Sequence, residues 1–377
     1  MRVLVATCAH RGDDARIVHR QARTLLEAGH SVTLIAPDPG EEARRSDPPG
    51  LVRRAVPRAA GRRRVSAWRA VRLSVRTDVG AQGPPDVVLV HDPELVPVLG
   101  WWRGPWRRAA LVWDVHEDFA ALVASRSWVP RPLRPVVGGV VRAIEWAARR
   151  RYRLLLAEDA YAERLGEAPV VPNSTWTPPE AAPPVEPWRV VYVGRLSTDR
   201  GVEEMIAVGR RLREAPVPVQ VELIGAADAE IEQRLRAAHD AGDITWHGPQ
   251  PNPVAMARVG GALAGLSLLH DEPNYRHSRP TKCVEYLAQG VPVITTPLPL
   301  AAALVNASGG GVVTTAFGPD AVTSQTVAAV LAWCGDATER RRRGEDGHAH
   351  VLANHSWQRD GARFVEVLER YASGAGR

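Results

Sequence analysis

The chain has 377 residues, 45% of them hydrophobic and 24% charged, with a formal net charge of +6. That length exceeds one ordinary core and predicts two domains of roughly 150–200 residues in a soluble globular protein. The longest apolar runs, near 85–102 and 136–148, are interrupted by charge or proline and fall short of the roughly 20 residues of a membrane-spanning helix. Three scattered cysteines, Cys8, Cys283 and Cys334, make neither a disulfide framework nor a metal knuckle. MRVLVAT enters a strand pattern directly, without a leader layout, so a cytoplasmic protein is expected.

RVLVA (2–6) is the first strand, followed by a loop with Gly12 and a helical pattern ending at Gly29. SVTLIAP (31–37), DVVLVHDP (86–93) and ALVWDVHE (110–117) read as further strands, and RYRLLLAED (151–159) and PVVPN (169–173) as the last of this half. Near-continuous apolar strands separated by helices predict a parallel sheet covered on both faces, which right-handed crossovers make a doubly wound, Rossmann-like domain. TPPEAAPPVEP (177–187) is a proline-dense linker. The alternation restarts with WRVVYVGR (188–195), VQVELIG (219–225), ITWHG (244–248), ALAGLSLL (262–269), VPVITT (291–296) and GGVVTT (310–315), and the tail from about 318 is helical. The expected plan is therefore a first domain over 1–176, a linker over 177–187, a second Rossmann-like domain over 188–355 and a terminal helix over 356–377. Two such domains facing each other leave a cleft at the carboxyl ends of both sheets, where ligands bind in these folds.

Charge is uneven, with 28 basic against 19 acidic residues in 1–177 and 20 against 23 in 178–377. Arg53, Arg54, Arg58, Arg62, Arg63, Arg64, Arg69, Arg72 and Arg76 crowd one stretch. WWRGPWRR (101–108) interleaves Trp101, Trp102 and Trp106 with Arg103, Arg107 and Arg108. Arginine mixed with tryptophan suits an anionic membrane surface. A grip on nucleic acid and a merely solvated basic face are the alternatives; an anionic membrane surface is the expected partner, and nucleic acid is not expected.

Of the 48 basic residues only one is lysine, Lys282, in HSRPTKCVEYLAQGVPVITT. An ammonium is a compact point charge with rotatable donors, suited to following a phosphate oxygen as charge develops on it. A chance survivor on a solvated helix is the bland alternative. The segment predicts a helix with Pro280 in its first turn and Ser278 as cap. Val284, Leu287 and Ala288 form its buried stripe; Lys282, Glu285 and Gln289 share another face, and the helix ends at Gly290. Its N-terminal N–H groups and dipole attract a diphosphate, and Glu285 can accept from ribose hydroxyls. A surface pair of Lys282 and Glu285, worth about 0–1 kcal/mol, is the alternative. In VVYVGRLSTDRGVEE, Gly194 at a strand end lets a ligand approach the backbone and Arg195 can fork onto a phosphate, with Arg200 and Gly201 opening the next helix. A plain strand-to-helix turn with surface arginines is the competing reading. No Asp-x-Asp pair, HExxH or Cys/His cluster occurs, so neither a catalytic metal nor another cofactor is expected. His348, His350 and His355 read as surface helix residues.

GHSVTLI, YVGRL…RGV, HGPQPN and PTKCVEYLAQGVPVITT resemble, in this order and spacing, the retaining glycosyltransferases of the GT-B fold, glycosyltransferase family 4. The resemblance covers most of the chain and is strongest from 188 to 297. It implies a nucleotide-diphosphate sugar as cosubstrate in the second domain, an acceptor site in the first, and transfer with retention at the anomeric carbon. It implies that Arg195 and Lys282 hold the donor diphosphate, that Glu285 holds the ribose, and that His116 sits beside the donor sugar. Gly12 would lie in the loop that lets diphosphate and acceptor approach. Gly194, Arg200, Ser278 and Thr281 fall in the donor-binding segments. The family's first motif glutamate would stand at His277, and its role passes to His277, to the neighbouring backbone or to Glu272. Arg200 stands where many relatives have lysine. In relatives the terminal helix returns to the first domain.

A nucleotide-sugar epimerase on the same fold and a non-catalytic nucleotide-sugar-binding protein are the alternatives. Hydride transfer fits poorly, because no G-x-G-x-x-G follows the first strand.

Overall fold

A computed structural model describes residues 1–100, 106–116, 134–276, 278 and 280–374. The chain forms two compact units, one of Met1–Asn173 with Trp357–Arg377 and one of Ser174–Ser356.

The first unit holds β1 (Arg2–Ala6), β2 (Ser31–Ala36), β3 (Val52–Ala55), β4 (Val87–Val90), β5 (Ala110–Val115) and β6 (Arg153–Leu156). All pair in parallel, in the order β3-β2-β1-β4-β5-β6. Valine and leucine dominate β1 and β4 because both faces of these central strands are covered. β3, VRRA, is an edge strand inside the arginine-rich stretch, and its exposed edge position tolerates the charge that hides it from a hydrophobicity pattern. PVVPN is not a strand: Val170 makes only an isolated bridge to Leu156, and Pro169 and Pro172 have no N–H for a ladder.

Part of the arginine cluster is internal to this unit. Arg53 pairs with Asp47 and donates to the Gly12 carbonyl at 2.8 Å, Arg54 lies 3.8 Å from Asp78, and Arg64 pairs with Glu94. Arg58, Arg62, Arg63, Arg69 and Arg76 remain exposed. Trp106 does not face a membrane: it is fully buried in the core, with its indole N–H on the Leu99 carbonyl at 3.1 Å. Trp101, Trp102 and Arg103 lie outside the described residues. The helix Trp357–Ala372 packs in this unit. It buries Phe364, Val367 and Leu368, and the Trp357 indole donates to Thr24 Oγ1 at 2.8 Å.

The second unit holds β7 (Trp188–Val193), β8 (Val219–Ile224), β9 (Thr245–Trp246), β10 (Ala264–Ser267), β11 (Val293–Thr295) and β12 (Gly311–Val313). They too are parallel, ordered β12-β11-β10-β7-β8-β9. The proline-rich segment is laid onto this unit: just before it the Thr175 N–H donates to the His355 carbonyl at 3.1 Å, and within it the Val185 N–H donates to the Gly261 carbonyl at 3.0 Å. His348 is not a surface residue. It is buried, with Nε2 2.8 Å from the Pro178 carbonyl.

In each sheet the strand order reverses beside the first strand of the unit, between β1 and β4 and between β7 and β10. Ligands of open parallel sheets bind beyond the carboxyl ends of the strands at such points.

Candidate active site

β7 ends at Val193, whose N–H donates to the buried Tyr286 hydroxyl at 2.8 Å. Gly194 follows with φ +143°, a conformation side chains rarely adopt, and a Cβ there would stand 3.5 Å from Lys282 Nζ. The glycine thus keeps the backbone beside the ammonium open to a ligand. Tyr192, fully buried, organises the cations around it. Its hydroxyl donates to the Arg195 carbonyl at 2.7 Å and accepts from Lys282 Nζ at 3.0 Å. The ammonium also stands 4.3 Å from the Tyr192 ring centroid, within cation–π range. Arg200, from the turn Thr198–Arg200, faces the same hydroxyl and lies 5.9 Å from the Tyr275 ring. Tyr275 donates to Asp199, and burial together with that bond pushes its hydroxyl up to about 12. Arg195 is half-exposed and pairs with Asp228.

The helix Thr281–Ala288 begins with Thr281 after Pro280, which occupies the capping position rather than the first turn. Ser278 does not cap it; its hydroxyl donates to the Asn274 carbonyl at 2.6 Å. The buried face is wider than the expected stripe, because Cys283 and Tyr286 join Val284, Leu287 and Ala288. Gly265 makes room for this, since a Cβ there would come 2.3 Å from the Tyr286 ring. Lys282, Glu285 and Gln289 are half-buried. His277 lies outside the described residues.

The first unit gathers a second polar cluster at its switch point. After β4, the buried Asp92 carboxylate accepts from Thr7 Oγ1 at 2.8 Å, from the backbone N–H groups of Cys8 and Ala9, and faces His10 Nδ1 at 2.7 Å. Burial alone would raise this carboxyl. The His10 bond and charge and the two amides outweigh it and hold Asp92 well below the usual carboxylate range. On β5, Asp114 accepts two bonds from Arg16, both 2.8 Å, and one from Gln21 at 2.9 Å. Burial pushes Asp114 up as well, and Arg16, His91 and His116 overcome it. His116 Nδ1 lies 3.1 Å from the Asp114 carbonyl oxygen, and its Nε2 lies 3.0 Å from His10 Nε2. Burial pushes His116 down to about 4, so its ring is neutral near pH 7. His91 is buried 3.2 Å from Asp114 Oδ2, without a well-aligned hydrogen bond at either ring nitrogen among the described residues.

His91, Asp114 and His116 bring potential ligand atoms within 4.8 Å of one another. Residue types alone would admit a metal there. The Asp114 oxygens are already committed to a guanidinium and an amide, so a cation would meet Arg16 instead of free lone pairs.

Asp14 opens the first helix, accepting from the N–H groups of Arg16 and Ile17, and the turns Ala15–Ala22 that follow are π-wound. Such turns recur at functional sites. Gly12 is buried against the strand-end loop, where a Cβ would come 1.9 Å from the Pro37 carbonyl; close packing alone requires glycine there.

Of the residues singled out by sequence, the structure gathers Gly194, Arg195, Arg200 and Lys282 around Tyr192, and sets His116 in the first unit's histidine cluster. It adds Tyr192, His10, Asp92, Asp114 and Arg16. For His10, Asp92 and Asp114 the available signal was positional: they sit at the ends of apolar strand runs, in VLVATCAH, VVLVHD and VWDVH.

Residues 15–179 match the family described as Glycosyl transferase 4-like domain, and residues 187–334 match Glycosyl transferases group 1. No curated protein matches the sequence. Among solved structures, sucrose-phosphate synthase from Thermosynechococcus elongatus superimposes with a TM-score of 0.70 at 16% identity, covering 99% of both chains. HepE of Anabaena in complex with UDP gives 0.64 at 14% identity, covering 98% of this chain and 99% of its own. Trehalose 6-phosphate synthase from Burkholderia multivorans gives 0.62 at 14% identity, covering 100% and 99%. At such identities the likeness is one of fold.

Proposed function

Because this chain belongs to the glycosyltransferases of the GT-B fold, we propose that it moves a sugar from a nucleotide-diphosphate donor to an acceptor hydroxyl with retention at the anomeric carbon. The observation that carries the donor assignment is the convergence of Lys282 and Arg200 on the Tyr192 hydroxyl beside Gly194. Breaking the bond to a diphosphate builds negative charge on the leaving oxygen. Cations fixed beforehand around that oxygen stabilise the transition state more than the ground state. Lys282, Arg200 and Arg195 supply that charge here without a metal, and Glu285 accepts from the ribose. Retention follows from the family resemblance, which also gives His116 its role toward the donor sugar. HepE has been crystallised with UDP and with UDP-glucose, which makes UDP-sugars the first donors to try.

The acceptor is membrane-borne in this reading. Arg62, Arg63, Arg69 and Arg76 are exposed near the exposed Val65 and Leu73, a basic surface with apolar points suited to anionic headgroups. Among the described residues no helix is long and apolar enough to cross a membrane.

A thermal-shift panel of UDP, GDP, dTDP, their sugar conjugates and NAD, run on wild type and Lys282→Ala, tests the donor site. A ligand at 100 times its Kd adds about 2.7 kcal/mol of stability. A shift with one nucleoside diphosphate that weakens in the variant supports the reading. Silence across the nucleotides, or a shift with NAD alone, overturns it.

A further inference from the structure

One face of the first unit's sheet carries a layer of helices with an apolar stripe on its outer side. Parallel connections are right-handed, and from β3 to β4, β4 to β5 and β5 to β6 the chain steps along the sheet in a single direction. The helices that make these steps, Arg64–Gln82, Leu95–Gly100 and Arg134–Arg149, therefore lie on the same face. The short middle helix packs against both of the others and is mostly buried, so the outer two flank it and turn their outward sides the same way.

The helix Arg134–Arg149 buries Val141, Glu145 and Ala148, spaced four and three apart, against the unit. Its outward side carries Val136, Val140 and Ala143, again spaced four and three, with Trp146 beside them. Val136, Val140 and Trp146 are 62%, 54% and 60% exposed, so packing within the unit does not account for an apolar stripe there. The charge around the stripe has one sign. Arg142, Arg149 and Arg150 are exposed, the Arg150 guanidinium stands 3.4 Å from the Trp146 ring centroid, and the helix's one acid, Glu145, is buried against Arg164. The helix Arg64–Gln82 repeats the pattern more weakly, with Val65, Arg69, Leu73 and Arg76 exposed and its one acid, Asp78, buried. A second copy of this chain would set arginine against arginine across such a face. Tryptophan and valine edged by arginine, without an exposed acid, suit the boundary between headgroups and acyl chains of an anionic bilayer. A helix of 16 residues is too short to span, so it would lie in the plane of the interface.

We propose that the helix Arg134–Arg149 is an interfacial anchor that sets Val136, Val140 and Trp146 among the acyl chains of an anionic membrane, while the arginines of the helix Arg64–Gln82 rest on headgroups of the same leaflet. The inference rests on the membrane-borne acceptor proposed above and adds to it an apolar contact and an orientation. The step from β1 to β2 runs the other way along the sheet, so the helix Arg23–Glu27 lies on the opposite face and turns away from the bilayer.

Flotation at low salt with vesicles of phosphatidylcholine, with and without phosphatidylglycerol, tests the anchor. Wild type should float with the anionic vesicles only. Val140→Gln combined with Trp146→Gln leaves every charge in place, and should weaken partitioning into anionic vesicles roughly tenfold or more through lost apolar insertion. Its thermal midpoint should match wild type, since both side chains are exposed. Val140→Cys and Glu27→Cys, each labelled with an environment-sensitive dye in a Cys334→Ser background, report depth, and they alone decide if the Gln pair lowers the thermal midpoint. Spin labels on the acyl chains should quench the dye at 140 and leave the dye at 27 bright. Flotation of a stable Gln variant equal to that of wild type, or an unquenched dye at 140, would overturn the anchor and leave arginines as the only contact. Equal quenching at both positions would overturn the orientation. A wild type that stays off anionic vesicles at low salt removes the membrane-borne acceptor itself, and the anchor with it.

Discussion

Tyr192 holds the chain's one lysine twice, accepting a hydrogen bond from Lys282 Nζ at 3.0 Å and presenting its ring centroid 4.3 Å from the same ammonium. The hydroxyl is anchored in turn on the Arg195 carbonyl, so the ammonium is tied to the backbone that ends β7. A charge fixed in this way needs no reorganisation as a diphosphate departs. Lys282→Ala is therefore expected to lower kcat by roughly 10²–10³, about 3–4 kcal/mol. Steady-state kinetics with the donor selected by thermal shift checks this, and near-normal turnover would remove Lys282 from the site.

Tyr192→Phe keeps the ring under the ammonium and deletes the hydroxyl between Lys282 and the Arg195 carbonyl. A hydrogen bond to a charged group is worth about 1.5–3 kcal/mol, and that is the expected loss in unfolding free energy. Donor turnover should fall with it, by less than in Lys282→Ala. Urea titration alongside kinetics reads both, and an unchanged variant would mean that Lys282 is positioned by other contacts.

Arg16 and Asp114 form a buried two-bond ion pair, with Arg16 also donating to the Val171 carbonyl at 3.1 Å. Removing the guanidinium leaves a carboxylate buried without its counter-charge. Arg16→Ala should cost about 3–5 kcal/mol of stability, readable as a lower urea midpoint. A loss below 1 kcal/mol would show that Gln21 and the neighbouring histidines suffice.

His116 is pushed down to about 4 by burial, while an unfolded histidine titrates near 6.5. Between those values the unfolded chain binds the proton and the folded chain does not. This contribution is therefore complete above about pH 6.5 and is lost as pH falls toward 4. Asp92 and Asp114 are held low, so their contribution is present above about pH 3.9, the unfolded value, and is lost further down. Urea midpoints should decline from pH 6.5 downward, and His116→Gln should flatten the segment between 6.5 and 4. A flat wild-type profile over that range would contradict the buried, neutral ring.

If the exposed arginines of the first unit meet a membrane, the chain should float with anionic liposomes at low salt and release at high salt. Arg62→Glu combined with Arg69→Glu and Arg76→Glu should abolish flotation. No flotation by wild type at low salt would remove the membrane-borne acceptor from the reading.

Two parallel α/β sheets, their strand cores and the segment containing Lys282 were legible in the sequence, because burial on both faces writes itself as uninterrupted apolar runs of local residues. Edge strand β3 was not, since exposure lets arginines stand where a pattern of burial would need valines. Trp106 misled for the opposite reason: its arginine neighbours suggested a surface, while its indole fills the core and bonds Leu99. The widened buried face around Tyr286 depends on Gly265 of another element, which helical spacing alone does not reveal.

The sequence by itself determined the apolar strands of both sheets and where cations and carboxylates cluster along the chain. Only the tertiary structure decided which of them meet. His10 touches Asp92 and His116 from 82 and 106 positions away, and Lys282 reaches Tyr192 from 90. The reason is the parallel sheet: its ladders set the carboxyl ends of strands side by side according to pairing order, and pairing order is fixed by contacts between segments, not by the pattern within any one of them.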